Sequence, residues 1–262
     1  MRSAEDVAFF YFLYLAAICW LRPLPASRRF FVTTVSLLTA AGVFAASRAP
    51  VVVREWAPLG YIGVGYYLTG RLFVRPSEPL EAWLLGWDHR LFGDPTTRFA
   101  RWPAWLIGYL DIVYMCCFLL LPAGMLALIF SGRSDLANHY WTLVLAADLG
   151  AFAPLSVFQT RPPWMIEARP ALAAPSVHRL ASYMVEHATI RVNTFPSGHV
   201  AVSFAVALAL WGTMPVAVGV LLVLAASISV ACVVGRYHYA VDVVTGAMLA
   251  AIVWGVTALT GT

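Results

Sequence analysis

The sequence predicts an all-α, polytopic membrane helix bundle, and two observations carry that prediction. Of 262 residues, 61% are hydrophobic and only 11% charged, with a mean hydropathy of +0.78. A soluble domain of this size carries about 25% charged residues. The second observation is the uncharged run "MPVAVGVLLVLAASISVACVV" at 214–234. At about 1.5 Å per residue it reaches roughly 31 Å, enough to cross a bilayer core. Several such runs predict an integral, multi-pass protein, with the cell membrane as its expected location.

The elements follow in order. The opening "MRSAEDVAFFYFLYLAAICWLRP" carries Glu5 and Asp6 where a signal peptide needs net positive charge, so it reads as a retained first span over 6–21. Apolar runs place further spans at 30–47 and 56–73. In "SEPLEAWLLGWDHRLFGDP", Trp83, Leu84, Trp87 and Leu91 recur at helical spacing against Glu81, Asp88 and Arg90. That pattern predicts a helix lying in the membrane interface. These segments make an N-terminal unit, 1–103. A second unit, 104–262, holds spans at 104–130, 138–158, 196–213, 214–235 and 238–260, eight spans in all. Within its long connection 159–194, Val177, Leu180, Met184 and Ala188 form an apolar stripe, predicting a short amphipathic lid.

All 17 basic residues are Arg. Most fall in the loops 22–29, 74–103 and 159–194, which span counting puts on one face; the positive-inside rule makes that face cytoplasmic. A net charge of +4, dispersed along the chain, gives no reason to expect a nucleic-acid partner. Cys19, Cys116, Cys117 and Cys232 lie in apolar segments without paired spacing and read as packing residues.

Charged residues are expensive inside apolar segments, so those that occur there point to a site. In "VACVVGRYHYAVDVVTG" (230–246), His238 and Asp242 are four apart, which puts both on one helical face, with Asp242 able to fix the His238 tautomer. Arg236 belongs to the preceding turn. In "NTFPSGHVAVSF" (193–204), Pro196 is suited to open a helix, with Asn193 or Thr194 as its cap. Ser197, Gly198 and His199 then occupy a first turn, where free N–H groups and the helix dipole favour an anion. Arg161, in "SVFQTRPPWM", ends a span where a guanidinium can clamp phosphate.

By span counting these three segments meet at one membrane face. They supply two imidazoles, a carboxylate and guanidinium groups around an oxyanion, a phosphoryl-transfer set that calls for neither metal nor cofactor. In this reading His238 attacks phosphorus, His199 protonates the leaving alkoxide, and Arg161, Arg236 and backbone amides hold the remaining oxygens. A cation at the same residues would be repelled by the helix N-terminus and the Arg groups. A serine-hydrolase reading of Ser197 fails because no GxSxG elbow is present. Asp148 is expected to be a buried, hydrogen-bonded carboxylate, and Asp111 to lie nearer the reacting face. His89, His139, His178 and His187 are expected to be solvated in or beside loops.

"PSGH", followed about forty residues later by "RYHYAVD" and preceded by "RPP", resembles the type 2 phosphatidic acid phosphatase (PAP2) superfamily. Within it, "PPW", "HYAVD" and "WDHRLFGDP" are similar to the branch containing inositolphosphorylceramide synthases. The resemblance implies a six-helix core preceded by extra N-terminal spans. It also implies a lipid phosphate substrate, His238 as nucleophile with Asp242 beside it, and His199 as acid. Ser197, Gly198 and Arg161 would bind the phosphate. Hydrolysis is the expected reaction and transfer of a phospho-headgroup to an alcohol the alternative; a proton-coupled transporter is the alternative of another class. Two family cations are replaced here, a Lys by Pro154 and an Arg by Cys232. A charged hydrogen bond to phosphate is worth about 1.5–3 kcal/mol; Arg236, Gln159 and Arg191 are candidates to supply those that the two replacements remove.

Overall fold

A computed structural model describes residues 1–167 and 176–260, without the side chains of 176–178, 182 and 188. It is an all-α bundle with twelve α-helices among these residues: α1 (Ser3–Ile18), α2 (Ala26–Ala46), α3 (Val51–Gly70), α4 (Glu78–Phe92), α5 (Pro95–Ala100), α6 (Ala104–Met115), α7 (Leu120–Phe130), α8 (Ala137–Phe152), α9 (Ser176–Ala188), α10 (Gly198–Ala209), α11 (Pro215–Val234) and α12 (Ala240–Thr260).

Three of the described helices, α2, α11 and α12, are long and apolar enough to cross a membrane, or four spans if the bent pair α6–α7 counts as one. The eight expected spans thus all contain helix, but several are shorter than the sequence predicts. The expected span 104–130 breaks at Cys116–Leu119 and bends by 48°. Pro122 accounts for the break: it has no N–H to offer and its ring crowds the carbonyl four residues back, at Phe118. The span expected at 138–158 leaves α-helical geometry at Ala153, where Pro154 begins a 3₁₀ turn to Ser156.

Helix α10 is the centre of the bundle, packed against α8, α11 and α12. Its 12 residues, GHVAVSFAVALA, put small side chains on every face, which lets three neighbours approach at once. Helix α8 extends the packing outward to α1 and α3, and α2 packs on α1. The Arg54–Glu5 ion pair, 2.6 Å, ties α3 to the start of α1.

The polarity of α4 is the reverse of the simple stripe. Glu81, Leu84 and Asp88 point inward and are buried, while Trp83, Trp87 and Leu91 are exposed. The carboxylates turn inward because cations wait for them there. On α9, Ala181 and Val185 are buried and Leu180 and Met184 exposed, so the inner face is rotated one residue from the expected stripe. The side chains of Val177, His178 and Ala188 lie outside the described residues.

Candidate functional site

The segments carrying Arg161 and His199 are joined before either reaches the site. Thr160 and Asn193 form an antiparallel bridge, with Asn193 N–H donating to the Thr160 carbonyl at 2.9 Å and Asn193 Nδ2 donating to Thr160 Oγ1 at 3.0 Å. Helix α10 begins at Gly198, two residues later than Pro196 suggests, and its cap is Ser197, whose Oγ accepts from Val200 N–H at 3.5 Å. Gly198 N–H donates to Thr194 Oγ1 at 3.3 Å and Ser197 N–H to the Asp242 carbonyl at 3.0 Å. The first turn is therefore already bonded within the protein at three of its amides.

Two glycines permit this packing. A Cβ on Gly198 would stand 2.8 Å from the Phe152 ring, and one on Gly246 would stand 2.6 Å from the Ser197 carbonyl. Without Gly246, α12 could not bring Asp242 against the start of α10.

His238 stands in the turn between α11 and α12 rather than on the helix. Tyr237 and His238 N–H groups both donate to the Cys232 carbonyl, at 2.9 and 3.0 Å, and Arg236 takes the left-handed conformation, φ 57°, that reverses the chain. Asp242 Oδ2 accepts from Tyr239 N–H at 3.0 Å, capping α12, and lies 3.5 Å from His238 Nδ1. The His199 and His238 rings are 5.6 Å apart, inclined at 61°. Tyr114 stacks on His199 at 4.7 Å, its ring also facing Tyr237 at 4.1 Å, and Phe118 meets His199 edge-on at 5.2 Å. The α6–α7 break thus supplies an aromatic box. Asp111 accepts from Tyr237 Oη at 3.5 Å, behind these rings.

The two expected phosphate clamps are engaged elsewhere. Arg161 meets Glu81 through its backbone N–H at 2.7 Å, Nε at 3.1 Å and Nη2 at 2.7 Å. The Glu81 carboxylate holds the Arg161 pKa above its ordinary value. Arg236 is fully buried, with Asp88 and Glu167 each accepting from it at 2.6 Å; Asp88 also accepts from Ala240 N–H at 2.9 Å. As placed, Arg236 fixes the His238 turn from behind and does not reach the open space at the imidazoles. Gln159 is likewise committed, accepting from Val74 N–H at 2.9 Å and donating to the Leu72 carbonyl at 2.8 Å. Asp148 is fully buried, as expected, but its oxygens accept no hydrogen bond among the described residues. It lies beside the first residue of α10, 3.4 Å from where a Gly198 Cβ would be.

Two cavities meet at His199. A small one, about 40 Å³, is lined by His199, His238, Arg191, Thr194, Trp164 and Tyr114 among others. A larger, mostly apolar one of about 370 Å³ runs between α3, α6 and α9, past Leu59, Ile62, Met115 and Val185, and ends on His199. The structure therefore brings together His199, His238 and Asp242, with Arg191 on the wall. Ser197, Gly198, Arg161 and Arg236 surround this group without lining the small cavity. Sequence alone does not single out the aromatic rings, because Tyr and Phe in an apolar run carry no signal beyond packing.

No curated protein and no solved structure matches the chain significantly. A family model described as PAP2 superfamily matches residues 82–256, more than half of the chain. That range takes in most of α4 and both imidazoles, and by this match the chain belongs to the PAP2 superfamily.

Proposed function

We propose that the chain is an integral, multi-pass enzyme of the cell membrane that hydrolyses a lipid phosphate monoester or diphosphate through a phosphohistidine. The observation that carries this reading is the unequal placement of the two imidazoles. His199 lines both the apolar cavity and the small one, whereas His238 lines the small one and not the apolar one, with Asp242 beside its Nδ1. A lipid whose chain fills the apolar cavity brings its ester oxygen to His199 and its phosphorus towards His238.

With Asp242 favouring a proton on Nδ1, His238 attacks through Nε2. The P–N bond forms as the P–O bond to the lipid breaks, and the departing oxygen takes the proton of the His199 imidazolium. Neutral His199 then accepts a proton from water, whose oxygen attacks phosphorus. The P–N bond breaks, inorganic phosphate leaves, and His238 recovers its lone pair. Arg191 faces the charge on the equatorial oxygens. Arg161, Ser197 and Gly198 join it only on exchanging their present partners for phosphate, Arg161 leaving Glu81. In this scheme Arg236 keeps its two carboxylates and acts as a positioning residue.

On a phosphodiester the same nucleophile would displace the lipid alcohol and hold the headgroup through its phosphorus on His238, and a second alcohol, losing its proton to His199, would then take the phospho-headgroup in place of water. A roomy cavity of about 630 Å³, sharing Tyr66, Thr189, Arg191 and Val192 with the reactive one, favours this second reading, in which a phospho-headgroup is transferred.

Detergent-purified protein given phosphatidate, a prenyl diphosphate and phosphatidylglycerophosphate in turn tests both. Hydrolysis predicts vanadate-sensitive phosphate release that His238→Ala abolishes. Transfer predicts, with an added lipid alcohol, a product retaining the headgroup. Undiminished release by His238→Ala removes the assigned nucleophile, and solute transport without phosphate chemistry makes the buried groups a proton relay instead.

A further inference from the structure

The cavity of about 630 Å³ beside the reactive pocket has a distinct chemistry. Arg28, Arg71, Arg191 and His187 line it, with Tyr66 and Tyr67, and no carboxylate lies on its walls among the described residues. Arg28 stands in the first turn of α2 and Arg71 caps the end of α3, so both lie outside the stretch 82–256 that matches the family. Among the described residues each guanidinium makes one hydrogen bond: Arg28 Nη1 donates to the Phe73 carbonyl at 3.1 Å, Arg71 Nη2 to Tyr67 Oη, and Arg191 Nε to the Glu186 carbonyl at 2.6 Å. A guanidinium has five N–H donors, so each keeps donors for a ligand. This is the opposite of Arg161 and Arg236, whose forks are filled by carboxylates.

We infer that this chamber is a second anion site that receives a phosphate group other than the one between the imidazoles. The inference rests on the lipid-phosphate reading above and narrows it: the preferred substrate carries a second phosphate in its headgroup. Three arginines lining a cavity without acid are suited to a phosphate anion, which guanidinium groups meet through paired N–H donors. Arg191, on the wall of both spaces, links the two phosphate positions. Free inorganic phosphate has the same chemistry and is the other source of such a ligand.

The test is equilibrium binding to the detergent-solubilised full chain carrying His238→Ala, which prevents turnover. Three probes are compared: phosphatidylglycerophosphate, phosphatidate and inorganic phosphate. Each is measured with and without the further pair Arg28→Ala and Arg71→Ala, and with Arg71→Lys as a charge-keeping control. The expected result is at least about a tenfold loss of affinity for phosphatidylglycerophosphate, less than threefold for phosphatidate, and a smaller loss with Arg71→Lys, which keeps the charge but not the paired donors. A loss confined to inorganic phosphate makes the chamber a free-phosphate site and overturns the assignment to a lipid headgroup. Unchanged affinity for all three probes overturns the proposal altogether. Turnover by the His238-containing chain is measured separately, so a chain that binds in the expected pattern but releases no phosphate refutes the phosphatase reading while leaving the second anion site standing.

Discussion

His199 is packed among rings, whereas the near neighbour of His238 is a carboxylate, Asp242, 3.5 Å from its Nδ1. Tyr114 lies nearly parallel to the imidazole, at 16°, and is itself held by Tyr237. Such ring pairs are worth about 0.5–1.5 kcal/mol beyond area burial. Tyr114→Ala is therefore expected to lower kcat about tenfold, with a smaller change in KM. Tyr114→Phe, which keeps the stack, restores the rate; steady-state kinetics on a purified lipid phosphate checks both. His199, His238 and Asp242 are legible in the sequence because each is costly in an apolar segment; the helical face expected for the i,i+4 pair is not how they meet, since α12 starts at Ala240 and His238 approaches Asp242 from the preceding turn. Their actual partners are not. An Arg at the end of a span looks the same whether it awaits phosphate or a carboxylate eighty residues away, as Arg161 awaits Glu81.

Helix α4 shows why. By periodicity its acids belong to the solvent face of an interfacial helix, whereas in the structure they are its inner face. Asp88 bonds both to Arg236 and to the first amide of α12, so one carboxylate holds the two ends of the turn that presents His238. Removing one member of a buried pair typically costs about 3–5 kcal/mol because the other is left uncompensated. Asp88→Ala is expected to destabilise the chain by that amount, read as a fall in Tm, with activity lost in parallel. Asp88→Asn, still able to accept through its remaining oxygen, should lose less. Helical spacing locates α4, and long apolar runs locate α11 and α12. The same run-based reading overruns α10, whose Ala-rich sequence stays apolar past Ala209 although the helix stops there.

At the scale of the whole molecule, ion pairs join the two halves read from sequence: Glu81 to Arg161 and Asp88 to Arg236 both cross residue 103. Tyr66 and Thr189 line all three cavities described above, so α3 and the segment after α9 are common walls of the apolar, the small and the basic cavity. This convergence is beyond sequence reasoning, because it depends on how α3 leans on α8, and no local pattern encodes that packing. Gly63 offers a test of the proposal that the apolar cavity takes a lipid chain. It lines the apolar cavity, and a Cβ there would meet nothing within 4 Å. Gly63→Leu is expected to raise KM for a long-chain lipid phosphate about tenfold and to leave a short-chain, water-soluble ester unaffected, as kinetics on the two substrates would show. The central claim, covalent catalysis at His238, is tested most directly by trapping. His199→Ala is mixed with a phosphorus-labelled aryl phosphate, whose leaving group needs no acid, then quenched in alkali and mapped by peptide sequencing. The account predicts acid-labile label on the peptide containing His238, and none when His238→Ala is added. Label on any other residue, or full turnover without His238, contradicts it.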